Sequence, residues 1–257
     1  MGRRLVALIS EAEDLRLTGA TEVKNSPLIG QDSGIVAGVK SNGIAISDDI
    51  SKALKGADVM IDFSTGDVVS NAKIATARGV ACVIGTTGLD DESRSVFAEI
   101  AKSGGRIVYA TNMSVGINLL FGICRELAEV LGEEYDIEVV EMHHRNKKDA
   151  PSGTALSLAE VLCEGRKLSL QNCLFGRKGI TGVRTSSEIG IHALRGGDVV
   201  GEHTVIFAAD GERIEVTHRA SNRDAFVNGA LRAARFLKSA SPGLYSMQNV
   251  LGIERRK

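Results

Sequence analysis

From Gly2 to about Asn112, short apolar runs alternate with stretches whose apolar residues recur at helical spacing. The spacing predicts an amphipathic helix over Gly2 to Ala12, a strand over Leu15 to Ala20 and a short helix over Asp49 to Leu54. Strand Val59 to Phe63, helix Asp67 to Arg78, strand Val80 to Ile84, helix Glu92 to Ser103 and strand Ile107 to Ala110 follow. Strands this short, apolar and β-branched, each separated by a helix, predict a parallel sheet covered on both faces. The expected first domain is a doubly wound, Rossmann-like α/β sheet.

After a predicted helix from about Gly116 to Leu131 the pattern changes. Asp136 to His143 alternates as a strand and Pro151 to Cys163 reads as a helix, with further strands over Glu188 to Leu194, Val199 to Ala209 and Glu212 to His218. Gly196-Gly197 and Asp210-Gly211 lie between those last runs and read as hairpin turns. A second, α+β domain on a mixed, largely antiparallel sheet is therefore expected. The helix Ala225 to Lys238 has an apolar face of Phe226, Leu231, Ala234, Phe236 and Leu237 and is expected to return to the first domain. The boundaries so predicted are 1–114 with 224–257, for dinucleotide binding, and 115–223, for substrate binding and oligomerisation.

Composition narrows the class. The 257 residues carry 31 Lys+Arg against 32 Asp+Glu, so no electrostatic argument favours nucleic acid or an anionic membrane as partner. No apolar run approaches the roughly 20 residues of a membrane span, and the N-terminus lacks a secretory pattern, which predicts a cytoplasmic protein. Cys82, Cys124, Cys163 and Cys173 form no Cys-x-x-Cys pair and are expected as reduced, space-filling thiols. With 29 Gly and no Trp, the chain suits an enzyme with tight turns near ligands better than a module built on exposed aromatics.

Three predicted strands end alike, in Phe63-Ser64-Thr65-Gly66, Gly85-Thr86-Thr87-Gly88 and Ala110-Thr111-Asn112-Met113-Ser114. Small and polar residues at the carboxyl ends of parallel strands are where an open α/β sheet takes its ligand. In the second half, Glu138 to Ala155 is a strand running into a loop with two imidazoles, His143 and His144, and the cations Arg145, Lys147 and Lys148. A helix start at Pro151-Ser152-Gly153-Thr154 comes next, where unpaired amides, a hydroxyl and nearby Lys147 make a site sized for a carboxylate or phosphate. Proton donor, cation and anion cradle in one segment point to reduction of a carboxylated substrate. A metal reading, with His192, His203 and His218 as further ligands, is disfavoured because neighbouring strand residues point to opposite faces and no carboxylate or thiol cluster completes a set.

The segment closely resembles the signature of the dihydrodipicolinate reductase family, Glu-x-x-Glu-x-His-His-x-x-Lys-x-Asp-x-Pro-Ser-Gly-Thr-Ala, with every fixed position filled from Glu138 to Ala155. Asp62-Phe63-Ser64, Gly85-Thr86-Thr87-Gly88, Asn112 to Gly116, Arg195 to Asp198, Val200 to Thr204 and His218 to Arg223 are also similar to the family, so the resemblance covers essentially the whole chain. It implies NADH- or NADPH-dependent reduction of 4-hydroxy-tetrahydrodipicolinate in lysine and diaminopimelate biosynthesis, by a homotetramer. It further implies His143 as general acid, with Lys147 as proton donor or charge stabiliser. His144, Ser152, Gly153, Thr154 and Arg223 would contact substrate. Gly2, Phe63, Ser64, Gly85, Thr86, Thr87, Ala110, Thr111, Asn112 and Met113 would contact cofactor.

Glu22 falls about 20 residues after Gly2, where an acidic side chain accepts the ribose hydroxyls of NAD. The next residue, Val23, offers no cation to a ribose phosphate, although Lys24 partly could, so NADH is expected to serve at least as well as NADPH. Another two-domain nicotinamide dehydrogenase would share the first half but leaves the His143 to Thr154 segment unexplained. A non-catalytic cofactor-binding paralogue is the rival of a different class. The family opens with an apolar strand and a Gly-x-x-Gly-Arg-Met-Gly-like loop, whereas this chain starts at Met1-Gly2-Arg3-Arg4, matching the loop's tail. The expectation is a native frame extending upstream by on the order of 15 residues, with that first strand and its glycines.

Overall fold

Short helices capped by aspartate, alternating with short buried strands, build the first half of the chain. In the computed structural model, which describes residues 1–253, helix α1 spans Gly2–Glu11 and turns Leu5, Val6 and Ala7 inward. Strand β1 (Ala20–Thr21), helix α2 (Ser33–Ala37), strand β2 (Ile46–Ser47) and helix α3 (Ile50–Ala53) follow. Then come β3 (Val59–Asp62), α4 (Val68–Thr76), β4 (Ala81–Ile84), α5 (Asp91–Lys102) and β5 (Arg106–Tyr109). The side chains of Asp32, Asp49, Asp67 and Asp90 cap α2 to α5 by accepting first-turn amides, satisfying donors a helix start leaves open.

The second half continues with α6 (Val115–Leu131), β6 (Asp136–His143), α7 (Gly153–Arg166), β7 (Cys173–Phe175), β8 (Ile189–Arg195), β9 (Glu202–Ala209) and β10 (Glu212–Arg219). Helix α8 (Asp224–Ser239), strand β11 (Gly243–Tyr245) and helix α9 (Met247–Leu251) complete the described elements. The chain divides into two compact units, Met1–Ser114 with Asp224–Lys257, and Val115–Arg223.

In the first unit, β11, β5, β4 and β3 form a parallel sheet in that order. Every residue of β4 is buried, as a strand covered on both faces requires. On one face Ala81, Val83 and Val108 pack with Ala230, Ala233 and Leu237 of α8. On the other, Cys82, Ile84 and Ile107 pack with Ala72 and Ala75 of α4 and Phe97 of α5. This is the doubly wound arrangement that the alternation predicts. Leu15 to Ala20 is not a strand: the ladder is confined to Ala20↔Ile46 and Thr21↔Ser47 in a separate pair. Just before it, the Gly19 backbone lies so close to the Ala53 carbonyl that a Cβ would stand 2.1 Å from the oxygen.

The second unit is a five-stranded sheet in the order β10, β9, β6, β8, β7. Alternate residues of β6 are buried, and Ile137 and Val139 join Phe121, Cys124, Leu158 and Leu162 of α6 and α7 in one core. Asp210-Gly211 makes the predicted two-residue hairpin, closing β9 on β10 with Gly211 at φ 88°. Gly196-Gly197 does not, because β8 and β9 both pair with β6, in parallel and antiparallel sense respectively. The sheet is mixed as expected, but with β7–β8 also parallel its antiparallel share is smaller than the turn signals imply. Helix α7 starts at Gly153, not Pro151, because Ser152 caps it by accepting the Ala155 amide.

All four cysteines are free, with Cys163 and Cys173 sulfurs 3.7 Å apart. Among the described residues no helix is long and apolar enough to cross a membrane.

Candidate functional site

The loops singled out in the first unit follow β3, β4 and β5, which are neighbouring parallel strands, so they emerge at one sheet edge. They are tied together by backbone and side-chain hydrogen bonds. Asp62 accepts the Ser64 amide at 2.7 Å and the Asn71 side-chain amide at 2.9 Å, and its carbonyl accepts the Gly85 amide at 2.9 Å. Thr86 donates its hydroxyl to the Ser64 carbonyl at 2.8 Å. Gly85 leaves room for the Phe63 ring, since a Cβ there would lie 2.3 Å from it and the ring would have to move.

Ala110 donates its amide to the Ile84 carbonyl at 3.2 Å, and Asn112 accepts the Ser114 amide at 2.8 Å. Thr111 lies between them, Thr87 follows the buried Thr86, and Met113 is buried with its carbonyl against Gly229 of α8. Gly2 opens α1, which no side chain caps, so the first-turn amides suit an anion. Glu22 directly follows β1 and accepts the Val23 amide at 2.9 Å on an exposed surface.

In the second unit, β6 delivers His143 to the end of the sheet, buried, while His144 on the opposite side of the strand direction is half-exposed. Two residues back on the same face, the fully buried Glu141 carboxylate contacts His143 Nδ1 at 2.6 Å. Arg195 of β8 grips that carboxylate with both guanidinium nitrogens, at 2.8 and 2.9 Å, and the Ser152 amide adds a fourth bond at 3.0 Å. Burial alone would raise the Glu141 carboxyl, but the bonds from His143, Arg195 and Ser152 hold it down to about 2.

His203 of β9 lies with Nε2 3.2 Å from the Ser152 hydroxyl and meets the His143 ring edge-on at 5.2 Å between centroids. Burial first, then the charge of His143, pushes the His203 imidazole down to about 3. It is therefore a neutral neighbour at ordinary pH. Lys147 pairs with Asp149 at 2.9 Å, and Arg195 also holds the Asp149 carbonyl at 2.7 Å.

The loop after β6 is pinned beside the Gly196-Gly197 loop by the Gly196 amide on the His143 carbonyl, 3.0 Å, and the Arg145 amide on the Gly197 carbonyl, 3.2 Å. Between them opens a cavity of about 750 Å³ lined by His144, Arg145, Asn146, Gly197, Asp198 and Arg223. The second unit thus gathers His143, Ser152, Gly153 and Thr154 around the β6 end and the α7 N-terminus, with His144 and Arg223 in one cavity wall. Ser152 is engaged within the protein through both its amide and its hydroxyl.

Sequence reasoning gave no role to Glu141, Arg195 or Gly201. Glu141 stands two residues from His143 on a strand, hence on the same face, and that signal was legible. Arg195 reaches it because β8 pairs with β6 in a register that sets His143 opposite Arg195, which no local pattern announces. His192, weighed as a metal ligand with His203, instead contacts Glu138 at 2.8 Å.

Two family models cover almost the whole chain: "Dihydrodipicolinate reductase, N-terminus" over residues 1–113 and "Dihydrodipicolinate reductase, C-terminus" over residues 116–251. A 4-hydroxy-tetrahydrodipicolinate reductase of Myxococcus xanthus (strain DK1622) is 50% identical over 99% of this chain and 95% of its own. The protein of that name from Geotalea uraniireducens (strain Rf4) is 47% identical over 98% and 95%. Among solved structures, a dipicolinate-bound dihydrodipicolinate reductase from Paenisporosarcina sp. TG-14 shares the fold, with a TM-score of 0.73 at 23% identity over 95% of this chain and 92% of that one. An amine dehydrogenase from Mycobacterium smegmatis follows the fold more loosely, at a TM-score of 0.59. A doubly wound unit, a mixed-sheet unit built around the His143 segment, and these matches along both halves have one reading: the chain belongs to the dihydrodipicolinate reductase family.

Proposed function

We propose that this protein reduces 4-hydroxy-tetrahydrodipicolinate to tetrahydrodipicolinate with NADH or NADPH, in lysine and diaminopimelate biosynthesis. The observation that carries the reading is the second unit's site: a buried imidazole on an ionised carboxylate, next to a helix N-terminus and a cationic cavity. The relatives' names state the substrate; the geometry supplies groups suited to it.

The residues of the first unit fit a dinucleotide. Gly85 lets the loops pack without a side chain between them, and the open first turn of α1 suits a pyrophosphate. Phe63, Ser64, Gly85, Thr86, Thr87 and Ala110 to Met113 would hold the nicotinamide end, and Gly2 and Glu22 the phosphate and ribose. When bound there, the reduced nicotinamide supplies hydride.

The protein's own part is binding and proton delivery. Ser152, Gly153 and Thr154, at the N-terminus of α7, bind one ring carboxylate, with His144 and Arg223 contributing from the cavity wall. Loss of the ring hydroxyl as water leaves a conjugated ring, and hydride addition to it needs a proton at the neighbouring carbon. His143 delivers that proton, and Lys147, held by Asp149, stabilises charge beside it.

The sheet face opposite α6 and α7 carries Val140, Met142 and Ile206, with Leu194 49% exposed, which supports assembly of a homotetramer through this face. Free thiols support a cytoplasmic location. The test is turnover: purified protein given the hydroxylated intermediate, generated in situ, should consume reduced nicotinamide and yield tetrahydrodipicolinate. Absence of turnover with both cofactors contradicts the reading.

A further inference from the structure

We propose that Glu141 is a positioning residue that fixes the ring state of His143, so that the proton given to substrate leaves from Nε2 and never from Nδ1. The inference rests on the reaction proposed above and deepens it by naming the donor atom and the residue that selects it.

The Glu141 carboxylate is saturated. Oε2 of Glu141 faces His143 Nδ1 at 2.6 Å and an Arg195 nitrogen at 2.8 Å; Oε1 takes the other Arg195 nitrogen at 2.9 Å and the Ser152 amide at 3.0 Å. With four partners Glu141 stays ionised at every working pH, and an ionised carboxylate only accepts. A contact of 2.6 Å to it therefore requires a hydrogen on Nδ1, in the neutral ring as well as in the charged one. The proton that His143 gains and loses must then sit on Nε2.

The surroundings of Nε2 agree. Gly201 presents no side chain to it, and a Cβ there would stand 3.1 Å away. The titratable groups that touch the ring are Glu141 on its own strand and His203 on β9, with Arg195 of β8 bound to the same carboxylate. Of these only Glu141 contacts Nδ1. The same carboxylate secures the rest of the site: Arg195 reaches on to the Asp149 carbonyl, Asp149 holds Lys147, and the Ser152 amide belongs to the cap of α7. A purely structural carboxylate would also tie these strands together, so stability alone does not test the idea.

The ring's hydrogen does. Nitrogen-detected NMR of protein labelled at histidine, with His143→Gln used to assign the signal, should show neutral His143 as the Nδ1–H form. In Glu141→Gln the amide NH₂ can donate to Nδ1, and the neutral ring should convert to the Nε2–H form. That variant should lose kcat by roughly 10²-fold while KM for the ring substrate changes little. Glu141→Asp, which keeps an acceptor, should restore the Nδ1–H form and part of kcat. A neutral Nε2–H ring in the unsubstituted protein overturns the inference, as does a Glu141→Gln variant that folds and keeps its kcat. Should Glu141→Gln fail to fold, the unsubstituted protein and Glu141→Asp still decide. The NMR readout needs no substrate, so failure of the proposed reaction and failure of this inference are distinguishable.

Discussion

A methyl carbon at Gly201 would stand 3.1 Å from Nε2 of His143, closer than ordinary van der Waals contact. The glycine just before β9 thus keeps one side of the ring clear. Gly201→Ala should push the imidazole out of place and lower kcat roughly ten- to a hundredfold, since small misplacements of reacting groups are costly. Circular dichroism should show the fold retained. Unchanged kcat would mean that Nε2 does not face the reaction.

Replacing His143 by Gln removes the positioned proton donor. Turnover should fall by about 10² to 10⁴, equivalent to roughly 3 to 5 kcal/mol of barrier. NADH affinity, measured by titration calorimetry, should hold, because the cofactor residues proposed here all belong to the other unit. An enzyme that keeps more than about a third of its turnover contradicts the assignment, given the size of effect expected of a general acid.

The buried histidines make stability depend on pH. Burial, then the charge of His143, pushes His203 down to about 3, and burial also lowers His218. As pH falls through about 6.5 the unfolded chain binds protons that the folded one refuses, so stability declines by up to about 1.4 kcal/mol per pH unit for each histidine. Glu138 and Glu141, each held at about 2 by their donors against the cost of burial, add a loss only below about pH 4.5. Urea unfolding between about pH 7 and 5.5 should show the histidine decline, and His203→Gln should flatten it by about 1 kcal/mol whatever its effect at pH 7. An unchanged slope in the variant contradicts the account.

Glu22 stands at the end of β1 with an exposed carboxylate, and its neighbour Val23 is exposed and apolar. A ribose phosphate placed there would meet negative charge. NADH should be used at least as well as NADPH, and Glu22→Gln should shift the ratio toward NADPH. Side-by-side kinetics decide, with a strong native preference for NADPH as the contrary result.

Much of this architecture could be read from periodicity, and the exceptions have physical reasons. Strands β3, β4 and β5 and helices α4 and α5 appear where the apolar period puts them, because local pattern and tertiary burial agree there. Leu15 to Gly19 has strand-like residues but no ladder partner, and a strand exists only where another strand pairs with it. Strands of two or three residues such as β2, β7 and β11 carry too little pattern to be seen alone. The segment from Glu138 to Ala155 is legible as a candidate site because its chemistry is contiguous. Arg195 and His203 are not, because sheet order brings them to Glu141 and Ser152 from distant sequence.

The most direct test of the central claim follows the two hydrogens into the product. Turnover of the hydroxylated ring intermediate with NADH deuterated on the transferring face, in ordinary water, should give tetrahydrodipicolinate carrying one deuterium from the cofactor. The same reaction with unlabelled NADH in deuterium oxide should instead label the neighbouring carbon from solvent, at a rate that collapses in His143→Gln. Cofactor oxidation that leaves no deuterium in the ring, or solvent labelling at full rate without His143, would contradict the assignment of hydride transfer and proton delivery made here.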